Sequence, residues 1–194
     1  AAADEFTDVL PRSGERVAIV GCGTSLYMSR AYAARREALG HGVSDAFAAS
    51  EYPHERRYDR VIGITRSGTT TELIEVLGAT AAHTPTTVLT VSADAPAVVA
   101  GSSVITLPYA AEESVVQTVF PTSVLALLRA ALGDDLSAAI AAAEEAVEAP
   151  LPLAAAELNQ VTFLGRGWAA GIADEAALKC REAAGFWTES YPSM

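Results

Sequence analysis

The sequence predicts an α/β protein with a doubly wound parallel sheet flanked by helices. Short apolar runs, each the length of a buried strand, alternate along the chain with segments whose apolar residues recur at helical spacing. This alternation is typical of strand–helix–strand units, which place consecutive strands parallel in one sheet. The chain has 194 residues, of which 51% are hydrophobic and 19% charged, and this composition is sufficient for a sizeable core.

The first strand and helix are predicted from residues 16–21 and 25–39. Residues 16–21 form an apolar run that ends at Gly21, as buried parallel strands do. The helical stripe that follows consists of Met28, Ala31, Tyr32 and Leu39. Gly40 comes directly after this stripe, which predicts that the helix ends there.

The second strand and helix are predicted from residues 59–65 and from a helix that begins near Thr69. Thr69 and Glu72 match a capping box, in which a hydroxyl and a carboxylate each bind a main-chain amide of the first turn. The helical stripe that follows consists of Leu73, Ile74, Leu77 and Ala81. Further strands are predicted at residues 86–92 and 103–107, with a candidate strand at residues 43–49.

A long helix is predicted over residues 114–132, where apolar side chains again recur at helical spacing. Ser114 and Gln117 form a second candidate capping box at its start. Pro121 interrupts this pattern, because a proline inside a helix removes one hydrogen bond and kinks the rod. We therefore expect either a kink or a restart of the helix at Pro121.

The segment 150–152, Pro-Leu-Pro, predicts a boundary between two domains. Residues 1–150 are assigned to a first domain, and residues 151–194 to the start of a second, incomplete one. A strand at residues 161–165 repeats the apolar-run-then-glycine signature, and a helix is predicted at residues 169–184. The second unit therefore begins the same strand–helix pattern again.

The composition argues against several classes of partner. The formal net charge is −11 and the 13 Lys and Arg are scattered, so we expect no nucleic-acid partner. No stretch reaches the roughly 20 apolar residues of a membrane span, and residues 1–6 lack the apolar core of a signal peptide. We therefore expect no membrane partner and a cytoplasmic location. Cys22 and Cys180 are far apart in sequence, which predicts buried thiols rather than a disulfide or a zinc site.

Such an acidic chain can bind an anion only through local donors, and residues 65–71 offer them. The hydroxyl residues of this loop are Thr65, Ser67, Thr69, Thr70 and Thr71, and Gly68 lies among them. The loop joins a buried strand to a helix start, where amide groups and the helix dipole attract phosphate. A polar loop with a helix cap is the alternative, but one cap needs one hydroxyl and this loop has five. The loop therefore predicts a phosphate site, and without a Walker motif it does not predict a nucleotide triphosphatase.

Residues 21–25 form a second candidate segment after a strand. Gly21 and Gly23 allow the backbone to approach a ligand closely, and Thr24 and Ser25 place hydroxyls at a helix start. On this segment alone, a tight turn with Ser25 as the N-cap is the favoured interpretation.

The third candidate segment is residues 175–182. Glu175 and Lys179 are four residues apart, and Lys179 and Glu182 are three apart, so all three share a helical face. This pattern alone favours a row of surface ion pairs. A functional interpretation requires Glu182 to face a pocket and act as a general base.

Taken together, these segments resemble the sugar isomerase (SIS) family, and most closely the isomerase half of glucosamine-6-phosphate synthase. The matching segments are residues 21–25, 64–70, 113–118, 164–167 and 175–182, in that order. The resemblance covers nearly the whole chain and implies a flavodoxin-like fold. It also implies an enzyme that interconverts the ketose and aldose forms of a hexose or hexosamine 6-phosphate through an enediol, with no cofactor and no metal. A homodimer is implied as well.

The resemblance also implies roles for individual residues. The residues implied to bind phosphate are Thr65, Arg66, Ser67, Gly68 and Thr70. The residues implied to line the sugar site are Gly23, Thr24, Ser25, Val116 and Thr118. Glu182 aligns with the base that moves a proton between C1 and C2, and Lys179 aligns with a nearby site lysine.

The sequence departs from the family pattern at Arg66, where the synthase has a neutral amide. A guanidinium there suits a phosphate bidentately. The family also continues into a stretch with a His-Gly-Pro that helps to open the sugar ring, and no such stretch follows residue 191 here. Two alternatives therefore stay open: a noncatalytic sugar-phosphate sensor, and a deaminase or etherase that uses the same phosphate pocket.

Overall fold

A five-stranded sheet, in which every neighbouring pair is parallel, carries the fold. The structure is a computed structural model, which describes residues 6, 8–151 and 153–193. The strands are β1 (Val17–Gly21), β2 (Ser44–Ala48), β3 (Arg60–Ile64), β4 (Thr86–Thr90) and β5 (Ser103–Thr106). The predicted α/β class and parallel sheet are confirmed, and the candidate strand at residues 43–49 is β2.

The strand order is β2-β1-β3-β4-β5, which is that of flavodoxin-like folds. The chain moves outward from β1 to β2 and then returns to build the rest of the sheet on the other side of β1. In such sheets ligands bind at this switch point, beyond the carboxyl ends of the two strands. Val20 of β1 lies beside Gly63 of β3, so the loops that follow these strands start at the same edge of the sheet.

Helices cover both faces of the sheet. They are α1 (Thr24–Ala38), α2 (Thr71–Thr80) and α3 (Val119–Ala131). A further helix, α4 (Ser137–Glu148), has no buried residue. Val17 and Ile19 of β1 belong to a core with α1 and α3, whereas Ala18 and Val20 belong to a core with α2. Because both faces of β1 are buried, this strand is apolar at every position rather than at alternate ones.

A second pair of strands, β6 (Val161–Gly165) and β7 (Thr188–Pro192), runs parallel and is joined by α5 (Ala169–Ala184). The sequence patterns predicted β6 and α5 but not β7. Helix α5 packs closely on α1 at Gly171, where a Cβ atom would lie 2.6 Å from the Tyr27 carbonyl oxygen. Arg30 of α1 and Asp174 of α5 form an ion pair of 3.0 Å beside this contact. Because a Cβ atom would collide with the main chain of α1, position 171 requires glycine.

The long helix predicted over residues 114–132 begins only at Val119. The kink or restart expected at Pro121 is wrong, because Pro121 lies in the first turn of α3. Amides of a first turn have no acceptor within the helix, so a proline there removes no hydrogen bond. Helix α2 likewise begins at Thr71, two residues later than the capping-box pattern predicted.

Both cysteines differ from the expected buried thiols. Cys22 is exposed and Cys180 is half-buried. Cys22 lies beyond the last residue of β1, in the turn before α1, and is therefore outside the core. Among the described residues, no helix is long and apolar enough to cross a membrane.

Two other expectations fall partly outside the described residues. The expected absence of a signal peptide concerns residues 1–6, of which only residue 6 is described. The predicted domain boundary at residues 150–152 includes residue 152, which is not described either. The division into two domains stays a prediction.

Replacing Gly171 with alanine is expected to lower the free energy of unfolding by about 1–3 kcal/mol, because the new methyl group overpacks the contact between α5 and α1. Urea denaturation followed by circular dichroism measures this change. Gly78 of α2 is the matched control, since a Cβ atom there would meet no described atom within 4 Å. Gly78→Ala is expected to stabilise the chain by about 1 kcal/mol. An equal gain in both variants would contradict the close packing of α5 on α1.

Candidate functional site

The loops that follow β1 and β3, the segment before α3, and helix α5 lie together at the carboxyl edge of the sheet. The first two come together because β1 and β3 are neighbours. The other two are connected to them by side-chain contacts from Arg66 and Lys179, as described below. Each contact joins segments that are far apart in the sequence.

The loop after β3 is built around the hydroxyl of Thr65. Thr65 is buried, and its Oγ1 accepts a hydrogen bond of 3.1 Å from the amide of Gly68. The same oxygen lies 3.4 Å from Oγ1 of Thr70, so both ends of the loop meet at this point. Gly68 has a φ of +67°, and a Cβ atom there would lie 2.3 Å from Cβ of Ala95. The loop therefore requires glycine at 68, both for its backbone conformation and for space.

The other hydroxyls of the loop lie near the start of α2 and differ in exposure. Ser67 and Thr69 are exposed and lie 2.9 Å apart, Oγ to Oγ1, and Thr70 is half-buried. Thr70 is the N-cap residue of α2, and its side chain makes no hydrogen bond to the helix within the described structure. The amides of the first turn and the positive end of the helix dipole thus adjoin three hydroxyl groups, an arrangement suited to an anion.

Arg66 connects this loop to the segment before α3. Its Nη1 donates hydrogen bonds to the carbonyl oxygens of Glu112, at 3.2 Å, and Ser114, at 2.5 Å. The guanidinium therefore lies against the main chain of residues 112–114.

Glu112 caps helix α3 with its carboxylate. The amides of Thr118, Val119 and Phe120 donate to Glu112 at 3.0–3.2 Å. Partial burial opposes ionisation, but the amides of Thr118, Phe120 and Val119 outweigh it and hold the pKa of Glu112 below its ordinary value. The start of α3 is therefore already occupied by an anion from the protein itself.

Lys179 of α5 joins the second and third candidate segments. Its Nζ donates to Oγ1 of Thr24 at 3.0 Å and to Oε2 of Glu182 at 2.6 Å. The same Nζ lies 3.4 Å from Oε1 of Glu175. The ammonium group of Lys179 therefore contacts the hydroxyl of Thr24, the first residue of α1, and two carboxylates of its own helix.

Glu175 is buried, with 9% of its surface exposed, and neither carboxylate oxygen has a hydrogen-bond partner among the described residues. Burial raises the pKa of Glu175, although the charge of Lys179 acts in the opposite direction. Glu175 and Lys179 line a cavity of about 140 Å³, together with Gln117 and Thr118. Oε1 of Gln117 is also buried without a described partner.

These contacts bring most of the sequence-predicted residues into one region. Lys179 contacts both Thr24 and Glu182. The ion pairs predicted within residues 175–182 are present, but they do not lie wholly at the surface, because Glu175 is buried. The other sugar-site candidates lie nearby in sequence but differ in burial: Gly23 is exposed, Ser25 is buried, Val116 is half-buried and Thr118 is exposed.

Three further polar residues of this region were not predicted: Glu112, Gln117 and Glu175. Nothing in the sequence was a reason to select Glu112, because its partners are amides at the start of α3, and the sequence pattern had predicted that start at residue 114 rather than at Val119. Glu175 was noted only as an ion-pair partner at helical spacing. Glu175 is buried because α1 and the segment before α3 pack against it, and the local sequence around Glu175 does not indicate this packing.

No family model matches the chain, and no curated protein matches it in sequence. Solved structures match it closely in fold, with TM-scores of 0.77, 0.72 and 0.70 for three of them. The chain has the SIS fold. The first of these structures is a protein of Silicibacter pomeroyi assigned as a phosphosugar isomerase, which is 23% identical, with 98% of this chain and 63% of that chain covered.

The second is glucosamine-6-phosphate deaminase of Thermotoga maritima, which is 19% identical and is covered over 65% of its length by 99% of this chain. The third is the C-terminal domain of glucosamine-fructose-6-phosphate aminotransferase of Francisella tularensis, at 22% identity, with 98% and 61% covered. The chain therefore spans less than two thirds of the length of these SIS-fold structures. Within the described residues, His, Cys, Asp and Glu form no group of three that could hold a metal ion.

Replacing Glu112 with glutamine is expected to lower the free energy of unfolding by about 1–2 kcal/mol near pH 7, because α3 loses a charged cap. The pKa of Glu112 is lowered by folding, so its contribution is present above the unfolded pKa and is lost as the pH falls through the folded one. Urea denaturation at pH 7 and at pH 3 should therefore show that the free energies of unfolding of the variant and the wild type differ less at pH 3 than at pH 7.

Glu113→Gln is the matched control, because Glu113 is the exposed neighbour of Glu112. It is expected to change the stability by less than about 0.5 kcal/mol at either pH. A Glu112→Gln variant as stable as this control at pH 7 would contradict the capping role.

Proposed function

We propose that the chain binds a hexose or hexosamine 6-phosphate and forms part of a phosphosugar isomerase. The observation that carries the proposal is the contact of Lys179 with both Thr24 and Glu182. It joins a candidate base to the loop after β1, at the switch point of the sheet, beside the hydroxyl-rich loop after β3. The SIS fold supports the proposal, because phosphosugar isomerases are among the proteins named for structures of this fold.

The phosphate is proposed to bind at the start of α2. Ser67 and Thr70 would offer hydroxyl donors there, beside the amides of the first turn of α2, while Thr65 accepts the amide of Gly68 and fixes the loop from beneath. Arg66 would add a guanidinium at the side that faces residues 112–114. The start of α3 is occupied by Glu112, so α2 is the better place for a ligand anion.

The proton transfer is proposed to run through Glu182. In its ionised form Glu182 takes the proton from the carbon next to the carbonyl group, and the electron pair of that C–H bond forms the enediol double bond. The carbonyl electron pair moves to the substrate oxygen, which takes the hydroxyl proton from the oxygen of the neighbouring carbon. Glu182 then returns its proton to the former carbonyl carbon, which completes the exchange of ketose and aldose. The ammonium of Lys179 would stabilise the negative charge that develops on the substrate oxygen.

The sugar itself is proposed to lie between the loop after β1 and the segment before α3. Gly23, Thr24 and Ser25 would line one side, and Val116 and Thr118 the other. Because the chain spans less than two thirds of the SIS-fold structures above, the complete activity is proposed for the protein to which this domain belongs. A homodimer and a cytoplasmic location are also proposed, by resemblance to the family.

A noncatalytic sugar-phosphate sensor is the second candidate function. The observation that favours it is the 2.6 Å ion pair between Lys179 and Glu182, because this contact already engages the carboxylate that an isomerase would need as its base. A sensor would keep the phosphate site and lack the proton transfer. The two candidates therefore differ in chemistry and not in binding.

Binding of glucosamine 6-phosphate and fructose 6-phosphate is expected to raise the melting temperature of the chain, whereas the unphosphorylated sugars are not expected to do so. In the double variant Ser67→Ala, Thr70→Ala the dissociation constant should increase at least about tenfold, since hydrogen bonds to charged groups contribute roughly 1.5–3 kcal/mol each. Isothermal titration calorimetry measures this change.

Ser13→Ala is the control for this titration, because Ser13 is an exposed hydroxyl residue that precedes β1, at the other edge of the sheet. The Ser13→Ala variant should bind the sugar phosphates with the affinity of the wild type. Equal melting shifts with phosphorylated and free sugars, or an unchanged affinity in the double variant, would rule out the loop as the phosphate site.

Replacing Glu182 with glutamine is expected to reduce the exchange of solvent deuterium into fructose 6-phosphate by about 10²–10⁴-fold, because the amide cannot accept the proton. The dissociation constant for the sugar phosphate should change by less than about threefold, since the phosphate contacts remain. Nuclear magnetic resonance follows the exchange. Tight binding by the wild type with no exchange would favour the sensor over the isomerase.

A further inference from the structure

The cluster around Lys179 contains two carboxylates and only one cation. Glu182 is the closer partner, at 2.6 Å, and its side chain is 34% exposed. Glu175 lies at 3.4 Å from the same Nζ, without an aligned hydrogen bond, and both of its oxygens are buried. The ammonium of Lys179 is therefore directed to Glu182 and Thr24 rather than to Glu175.

Among the described residues, Lys179 is the cation that acts on Glu175, and no second positive charge faces it. On its own helix the charged neighbours are Lys179 and Glu182. Helix α1 faces it with Thr24 and Met28, and the segment before α3 faces the same cavity with Gln117 and Thr118, all of them neutral. The carboxylate of that segment, Glu112, is engaged by the amides of Thr118, Val119 and Phe120.

Within the described part of the chain, an ionised Glu175 would thus be a buried charge whose nearest cation, Lys179 at 3.4 Å, is shared with a second and closer carboxylate. Such a charge is strongly unfavourable, and a buried carboxyl group avoids it by keeping its proton. The direction of the pKa of Glu175, which burial raises, agrees with this geometric argument.

We propose that Glu175 is a positioning residue that carries a proton in the working state, and that its neutrality leaves the ammonium of Lys179 available to Glu182 and to the ligand. Ionisation of Glu175, which lies one turn before Lys179 on α5 and 3.4 Å from its Nζ, would draw the ammonium toward Glu175 and weaken its contacts with Glu182 and Thr24. Glu175 itself need not touch the substrate. The catalytic consequence rests on the proposed isomerase function, but the proton on Glu175 does not.

The first test uses stability and needs no substrate. A carboxyl group whose pKa is raised by folding contributes stability that is present below its unfolded pKa and is lost as the pH rises through its folded pKa. Glu175→Gln imitates the neutral acid and cannot ionise. Its melting temperature minus that of the wild type should therefore increase between pH 4 and pH 8, by at least about 2 °C.

Glu144→Gln, at an exposed carboxylate of α4, is the control and should show no such trend. The proposal would be overturned if the melting temperature of Glu175→Gln minus that of the wild type decreased as the pH rises, since an ionised Glu175 would then be stabilising the fold. Should the variant not fold, the ¹³C resonance of the Glu175 carboxyl group in the wild type decides the question. A titration midpoint at or below the ordinary pKa of glutamate, about 4.3, would overturn the proposal.

The second test uses the exchange reaction. Wild-type exchange of deuterium should fall as the pH rises through the pKa of Glu175, and Glu175→Gln should lack this fall, so that the ratio of variant to wild-type rate rises at least about threefold. If the exchange rates of Glu175→Gln and of the wild type changed in parallel with pH, Glu175 would not position Lys179. An absence of exchange in the wild type, with the expected stability trend intact, would reject the isomerase while leaving the proton on Glu175 supported.

Discussion

The close packing of α5 on α1 is the constraint on which the candidate site depends. Gly171 allows the two helix backbones to approach so closely that any side chain at this position would collide with the main chain of α1. Two turns further along α5, this packing places Lys179 within hydrogen-bond distance of Thr24. Without it, the loop after β1 and the carboxylates of α5 would not meet, although each belongs to a regular element of its own.

The structure also explains how so acidic a chain can attract an anion. The start of α3 is filled by the carboxylate of Glu112, whereas the N-cap residue of α2, Thr70, leaves its helix without a side-chain cap in the described structure. Main-chain amides and hydroxyls thus remain at the start of α2, next to the switch point of the sheet. Arg66 binds residues 112–114, so the two helix starts are held in one arrangement.

Local patterns predicted the regular elements well where burial and periodicity agree. Strand β1 is apolar throughout because both faces of the sheet are covered there, and residues 17–21 showed this directly. The start of α3 was misplaced because residues 114–118 continue the apolar spacing of the helix without being helical. Within this segment the amide of Thr118 binds the side chain of Glu112 and the amide of Val116 binds the hydroxyl of Ser114, and such contacts compete with helix formation in a way that spacing does not reveal. Strand β7 was missed because it needs β6 as a partner.

The sequence by itself determined the parallel α/β fold, the hydroxyl-rich loop at residues 65–71 and the helical face shared by Glu175, Lys179 and Glu182, because these follow from spacing along the chain. Only the tertiary structure decided that Glu175 is buried, that Lys179 contacts Thr24, and that Arg66 lies against residues 112–114. These features depend on how α5 and the segment before α3 pack beside α1. Packing between segments this distant in sequence leaves no periodic trace in either of them.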